Sequence, residues 1–159
     1  MAEFTFNPVQ TVTAGGNVLL NDNIPCPKGY VLHRNESGIV ILRGIVNNPC
    51  STFARYVVTF NGNIAIPDGG TAPAPIAVAL AIDGEPILTS RAIVTPADAA
   101  TAPPTTENFF NVTSTAIITV PRGCCFTVAL ENVSEPAVVG EPAPSILVQN
   151  ANLTVSRIA

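Results

Sequence analysis

The stretch that most limits the fold runs from Glu107 to Ser134 and reads ENFFNVTSTAIITVPRGCCFTVALENVS. Asn108 to Val120 is rich in Phe, Val, Thr and Ile, side chains that suit a pleated, half-buried surface. Cys124 to Leu130 is a second run of the same kind. Pro121-Arg122-Gly123 stands between them, and a Pro with a Gly is a strong turn signal. Two extended runs around a tight break predict a long antiparallel hairpin and exclude a helix there.

The rest of the chain repeats this grammar. Phe6–Thr13, Val18–Asn21, Tyr30–Arg34 and Ile39–Val46 read as short strands, with a loop over Asn23–Gly29 and a hairpin across Asn35–Gly38. Arg55–Ile66 alternates cleanly: Tyr56, Val58 and Phe60 share one face, and Val57, Thr59 and Asn61 the other. Within it, Asn61-Gly62 suits either a type I′ turn or a bulge in one long strand. Ile76–Ile82 leads into Asp83-Gly84, a hairpin signal, and Pro86–Leu88 returns. Arg91–Thr95 and Ile146–Arg157 complete the set, with exposed Pro-rich loops at Pro96–Thr106 and Glu135–Pro144. About ten strands with regular turn signals predict an all-β sandwich or barrel.

Composition narrows the surface. The 159-residue chain is 47% hydrophobic but only 11% charged, against a typical charged share of about 25%. A surface rich in Thr, Asn and Ser, together with a face covered by other subunits, accounts for this. The net charge is −4, with Lys28 the sole lysine and the arginines dispersed along the sequence. That pattern argues against nucleic acid, which needs clustered positive charge. No apolar run reaches the roughly 20 residues of a membrane span. The N-terminus has neither a basic n-region nor an apolar h-region, so the expectation is synthesis in the cytoplasm and release by lysis or within a particle.

Reactive residues are few. Cys26, Cys50, Cys124 and Cys125 lack zinc-site spacing. Buried free thiols are the first expectation, and a Cys26–Cys50 disulfide formed after release is the alternative. His33 is the only histidine, and no nucleophile stands at a spacing that pairs with it. Asp68, Asp83 and Glu85 fall in predicted turns without a calcium-loop pattern. The reading is a non-enzyme with no catalytic residue, cofactor or metal.

Four segments in order carry a resemblance: Tyr56-Val-Val-Thr-Phe60, Val78-Ala-Leu-Ala-Ile-Asp-Gly84, Pro121-Arg-Gly-Cys-Cys125 and Ala151-Asn-Leu-Thr-Val-Ser-Arg-Ile158. Together they resemble the C1q/TNF-like jelly-roll family in its bacterial (Firmicutes) and phage form, over about Gln10 to Ala159. The resemblance implies a jelly-roll β-sandwich, a homotrimer and a display or binding role. It lacks the collagen-like stalk of spore-surface members, which favours a trimeric capsid decoration or head-fibre protein on the virion surface, docked on a major capsid or other virion protein. A receptor- or carbohydrate-binding head acting on host surface glycans, with its site in the two Pro-rich loops, is one alternative. A spore-surface protein is another.

Within that frame, residues 1–9 are expected to be an arm with Phe4 and Phe6 as docking residues, and residues 10–159 the domain. Tyr56, Phe60, Phe109, Phe110 and Phe126 are candidates for core or trimer packing. Phe109 and Phe110 are adjacent, so one should enter the core while the other faces a neighbouring subunit.

Overall fold

The computed structural model describes residues 1–24, 29–34, 36–70, 74–100 and 108–159. Among the described residues there are twelve strands: β1 (Ala2–Phe6), β2 (Gln10–Val12), β3 (Asp22–Ile24), β4 (Val31–His33), β5 (Val40–Arg43), β6 (Phe53–Ala65), β7 (Ile76–Ile82), β8 (Glu85–Pro86), β9 (Ala92–Val94), β10 (Phe110–Pro121), β11 (Cys125–Asn132) and β12 (Ile146–Arg157). They form two six-stranded sheets. The first is ordered β10-β6-β12-β1-β3, with β2 also on β12. The second is ordered β4-β5-β11-β7-β8, with β9 also on β7. Early strands pair with late ones: β1 with β12, β5 with β11, β6 with β10. From β5 onward the chain crosses repeatedly between sheets. This is an all-β jelly-roll sandwich.

Period-two patterning explains the layers. In β6, Tyr56, Val58, Phe60 and Ile64 are fully buried, while Arg55 and Asn61 are exposed. Ile76, Val78 and Leu80 of β7 and Val128 and Leu130 of β11 face them from the second sheet and join the same cluster. Tyr56 ties the sheets, its hydroxyl donating to the Arg43 carbonyl at 2.5 Å. At one margin Ser114 donates to the Ser90 carbonyl at 2.5 Å, and Ser90 Oγ accepts the Leu80 N–H at 3.0 Å. Each buried hydroxyl thus has a partner, as low-dielectric burial requires.

The expected 107–134 hairpin is not formed. β10 pairs with β6 in the first sheet and β11 with β5 and β7 in the second. The break is a corner between sheets. Cys124 N–H bonds the Pro121 carbonyl at 3.0 Å, and Gly123 has φ 80°. The remaining polar groups are taken by the β5–β6 connection: Arg122 N–H by Thr52, Gly123 N–H by Gly44, and the Cys124 carbonyl by Gly44 N–H. A Cβ on Gly44 would collide with the Pro121 carbonyl, so only glycine permits this crossing.

Other expectations are met or moved. β6 is one continuous strand through Asn61-Gly62, and the bulge lies in its partner, between Gln149 and Asn152 of β12. Asp83 and Gly84 both have positive φ (51° and 85°), as the β7–β8 hairpin needs. The β4–β5 hairpin forms as read. Val18 and Leu20 are buried, but the strand lies just after them, at β3. Residues 1–9 are not an arm: β1 is hydrogen-bonded to both β12 and β3.

Candidate functional site

Two surfaces stand out. The first is the outer face of the β10-β6-β12 sheet. Alternation turns Thr113, Thr115 and Ile117 of β10, Thr59 and Asn61 of β6, and Thr154 of β12 outward. Between Arg55 at one end and Glu3 at the margin, these three strands present no charged side chain to the outside. The face is cross-linked. Asn61 Nδ2 donates to Asn111 Oδ1 (3.2 Å) and Thr113 Oγ1 (2.9 Å), Asn111 Nδ2 donates to Asn63 Oδ1 (3.1 Å), and Thr115 Oγ1 donates to Thr59 Oγ1 (3.2 Å). Such a ladder fixes rotamers before any partner arrives, reducing the ordering cost of binding. Ile117 stands in it 65% exposed.

The second surface is a cleft of about 390 Å³ at the loop end of the sandwich. It lies between the segment following β6 (Ile66, Pro67, Ala74) and the Pro-rich loop following β11 (Val138, Pro142, Pro144). Asn132 holds that loop in place. Its Nδ2 donates to the Val12 and Pro144 carbonyls, both at 3.0 Å, and its Oδ1 accepts Ser134 N–H at 3.0 Å. Among the described residues the lining is mostly apolar, with Glu141 its one charged residue and no aromatic ring. The volume suits a small ligand or a protruding side chain.

The docking pair Phe4 and Phe6 is corrected. Phe4 is 1% exposed inside the core, its ring 5.0 Å from that of His33, and Phe6 packs half-buried against the same cluster. Pairing of β1 with β12 fills the sequence's apolar terminus from within. Tyr56 and Phe60 are core residues on one face, as read. Phe126 is half-buried against the core. Neither Phe109 nor Phe110 enters the core cluster: Phe109 is half-buried and Phe110 is 39% exposed. Asn108, at φ 63°, interrupts the pleat before Phe109, and Phe110 is the first residue of β10, in register opposite Ile64.

Cys26 lies outside the described residues, and the pairing with Cys50 with it. Cys50, Cys124 and Cys125 are free and exposed, where burial was expected. The corner lifts both Cys124 and Cys125 out, because strand alternation begins only at Cys125. Among the described residues no three His, Cys, Asp or Glu converge on a metal position. Asp83 instead accepts the Thr127 N–H and hydroxyl at 2.8 and 2.9 Å. His33 Nε2 donates to the Ser37 carbonyl at 3.0 Å. Among the described residues one carboxyl is perturbed: burial first, and the Glu85 carboxylate second, push Glu131 above its ordinary value. No helix is long and apolar enough to cross a membrane.

No family model and no curated protein sequence matches this chain. Solved structures of similar shape include the globular domain of zebrafish complement 1qA (14% identity, TM-score 0.46, covering 96% of this chain and 94% of that one). The EclA C-terminal domain, a sugar-binding protein, gives 17% identity and TM-score 0.36, with 82% and 87% covered. The CBM22-1 xylan-binding domain from Paenibacillus barcinonensis Xyn10C gives 10% identity and TM-score 0.36, with 99% and 94% covered. With identities and scores this low, the jelly-roll assignment rests on the strand order itself.

Proposed function

We infer that this chain is a non-enzymatic structural module that assembles as a homotrimer through the outer face of the β10-β6-β12 sheet and decorates a particle, as a capsid decoration or head-fibre protein does on a virion. The observation that carries the reading is that face: uncharged, ordered by side-chain hydrogen bonds and bearing an exposed Ile117. Interface cores are depleted in charge, and an aliphatic group at the centre of such a face favours burial. The low charge of the whole chain follows if this face is covered. Light scattering on the purified protein tests it: three subunits per particle are expected, and a monomer at all concentrations overturns the reading. Immunolabelling of virions then tests the particle role, which absence from purified particles would refute.

A receptor- or carbohydrate-binding head is the second reading. In its favour, the cleft falls in the Glu135–Pro144 loop. Against it, the lining offers no aromatic ring among the described residues for a sugar to stack on. Binding on a glycan array, lost on filling the cleft by Ala74→Trp, would favour it over the first.

A further inference from the structure

Strand direction gathers most of the arginines of this molecule at one end. β6 starts at Phe53 where β10 and β12 finish, at Pro121 and Arg157, and β5 ends there at Arg43 opposite Cys125. Four of the six arginines, dispersed in sequence, therefore meet at one end: Arg43, Arg55, Arg122 and Arg157. Arg157 Nε donates to the oxygen of Ala159, the last residue, at 3.0 Å, and the other three are held by neutral groups. Arg55 lies over the Phe53 ring at 5.0 Å and Arg157 over Tyr30 at 4.2 Å. Arg43 Nη1 donates to the Gly29 carbonyl at 3.2 Å and Arg122 Nη1 to the Pro49 carbonyl at 3.1 Å. Rings and carbonyls position the guanidinium groups of Arg43, Arg55 and Arg122 without cancelling their charge. Among the described residues the ion pair present is elsewhere, Arg91 with Glu135 at 2.8 Å.

The opposite end is the complement. Asp68, Asp98 and Glu141 are exposed there, in the loops following β6, β9 and β11. Beside them lies the apolar cleft, with Glu141 on its wall. Val138 and Val139 add exposed apolar surface, 59% and 101%. The arginine end, in turn, presents Phe53, 38% exposed, at the edge of the charged group. One end thus carries Phe53 flanked by Arg55 and Arg122, with Asp83 and Glu85 of the β7–β8 turn on the second-sheet side of the same end, and the other an apolar recess flanked by negative charge.

We propose that copies of this chain dock end to end, Phe53 of one copy entering the cleft of the next while Arg55 and Arg122 face Glu141 and its neighbouring carboxylates. The occupant of the cleft is a second copy, because the chain itself carries a group that matches the recess in both polarity and charge. An aromatic anchor in a recess supplies most of the affinity in such contacts. The charges steer the approach and fix its orientation, and salt screens them. The contact joins two different surfaces, so it does not close on itself and repeats as a rod. Side-by-side assembly multiplies it, since subunits held in parallel engage several such contacts together.

The test is small-angle X-ray scattering with sedimentation velocity on the full chain, across concentration and between about 0.01 and 1 M salt, where the screening length falls from roughly 30 to 3 Å. At low salt the particle should lengthen with concentration at constant cross-section, and at high salt it should not. Phe53→Ser should weaken the low-salt association by roughly tenfold or more. Arg55→Glu with Arg122→Glu should abolish it, and adding Asp98→Arg with Glu141→Arg to the same chain should restore it. The unchanged melting temperature of each variant shows that the fold is intact. Growth in cross-section, a mass independent of salt, or association surviving the arginine reversals overturns the proposal. The high-salt mass reports the lateral assembly alone. A trimer that never lengthens therefore removes this inference and keeps the trimer, and a monomer that lengthens does the reverse.

Discussion

The two sheets bury similar inner faces and show water very different outer ones. The outer face of the β10-β6-β12 sheet is Asn, Thr and Ser with Ile117 among them. The outer face of the second sheet carries Asp83, Glu85 and Glu131, with Arg91 reaching Glu135 and the Val133 carbonyl. Its alanines, Ala77, Ala79 and Ala81, are nearly inaccessible because longer side chains stand around them; Glu131 is in register opposite Ala79. The first face has paired its polar groups with one another, and the second keeps its charge for solvent. In a chain with so few charges, an uncharged stretch across β10, β6 and β12 marks that face for contact with protein.

The comparison presumes that the sheets are one folding unit. Phe60→Ala tests that most severely. Phe60 projects from β6 into the cluster shared with Leu80 and Leu130 of the second sheet. Its removal should cost about 3–5 kcal/mol, a fall of roughly 6–20 °C in melting temperature for a domain of this size. Calorimetry should still show one transition; two would mean that the sheets melt separately and their outer faces cannot be weighed against each other.

Ile117→Asp sharpens the contrast between faces. A charge placed in the uncharged ladder should convert the proposed trimer to a monomer in light scattering. Leu32→Asp, on an exposed position of β4 in the second sheet, should leave the mass unchanged. Equal effects from both would remove the distinction between the two faces. Next in size is Tyr56→Phe, which deletes only the hydroxyl that reaches from β6 to the Arg43 carbonyl. Loss of that bond, with the carbonyl left underpaired, should cost about 1–2 kcal/mol by urea denaturation. A neutral result would mean that packing alone joins the sheets.

Some of this was legible in the residues and some could not be. The faces of β6 followed from its alternation, and the β7–β8 turn from Asp83-Gly84, because both are local. The corner at Pro121–Cys124 was not. Alternation shows that two runs are strands without showing which neighbour takes their hydrogen bonds, and here Gly44, far away in sequence, decides it. Phe4 was misread for the same reason: an apolar terminus looks alike whether it fits a partner or its own β12. The arginine end was invisible as well. Arg43, Arg55, Arg122 and Arg157 come together only once the directions of four strands are known. The uncharged face was half legible, since the low charge announced a covered surface but not which sheet bears it.

The smallest effect belongs to Glu131, the one carboxyl on the solvated face with a raised pKa. Burial and Glu85 disfavour its ionised form in the folded chain, so the native state holds the proton to a higher pH than the unfolded state does. Between the two pKa values the native state binds more protons, and stability therefore falls as pH rises through the ordinary carboxylate range and beyond. Glu131→Gln removes the ionisation without changing the shape. Its melting temperature should exceed that of the unmodified protein at neutral pH, by a degree or two at most on a group this exposed (about 2–4 °C per kcal/mol at this size). The gain should vanish in acid, where the native Glu131 is already protonated. A gain that persists in acid would place its origin in packing or in a hydrogen bond. The solvated face would then have to be distinguished from the ladder by shape, since charge would no longer separate them.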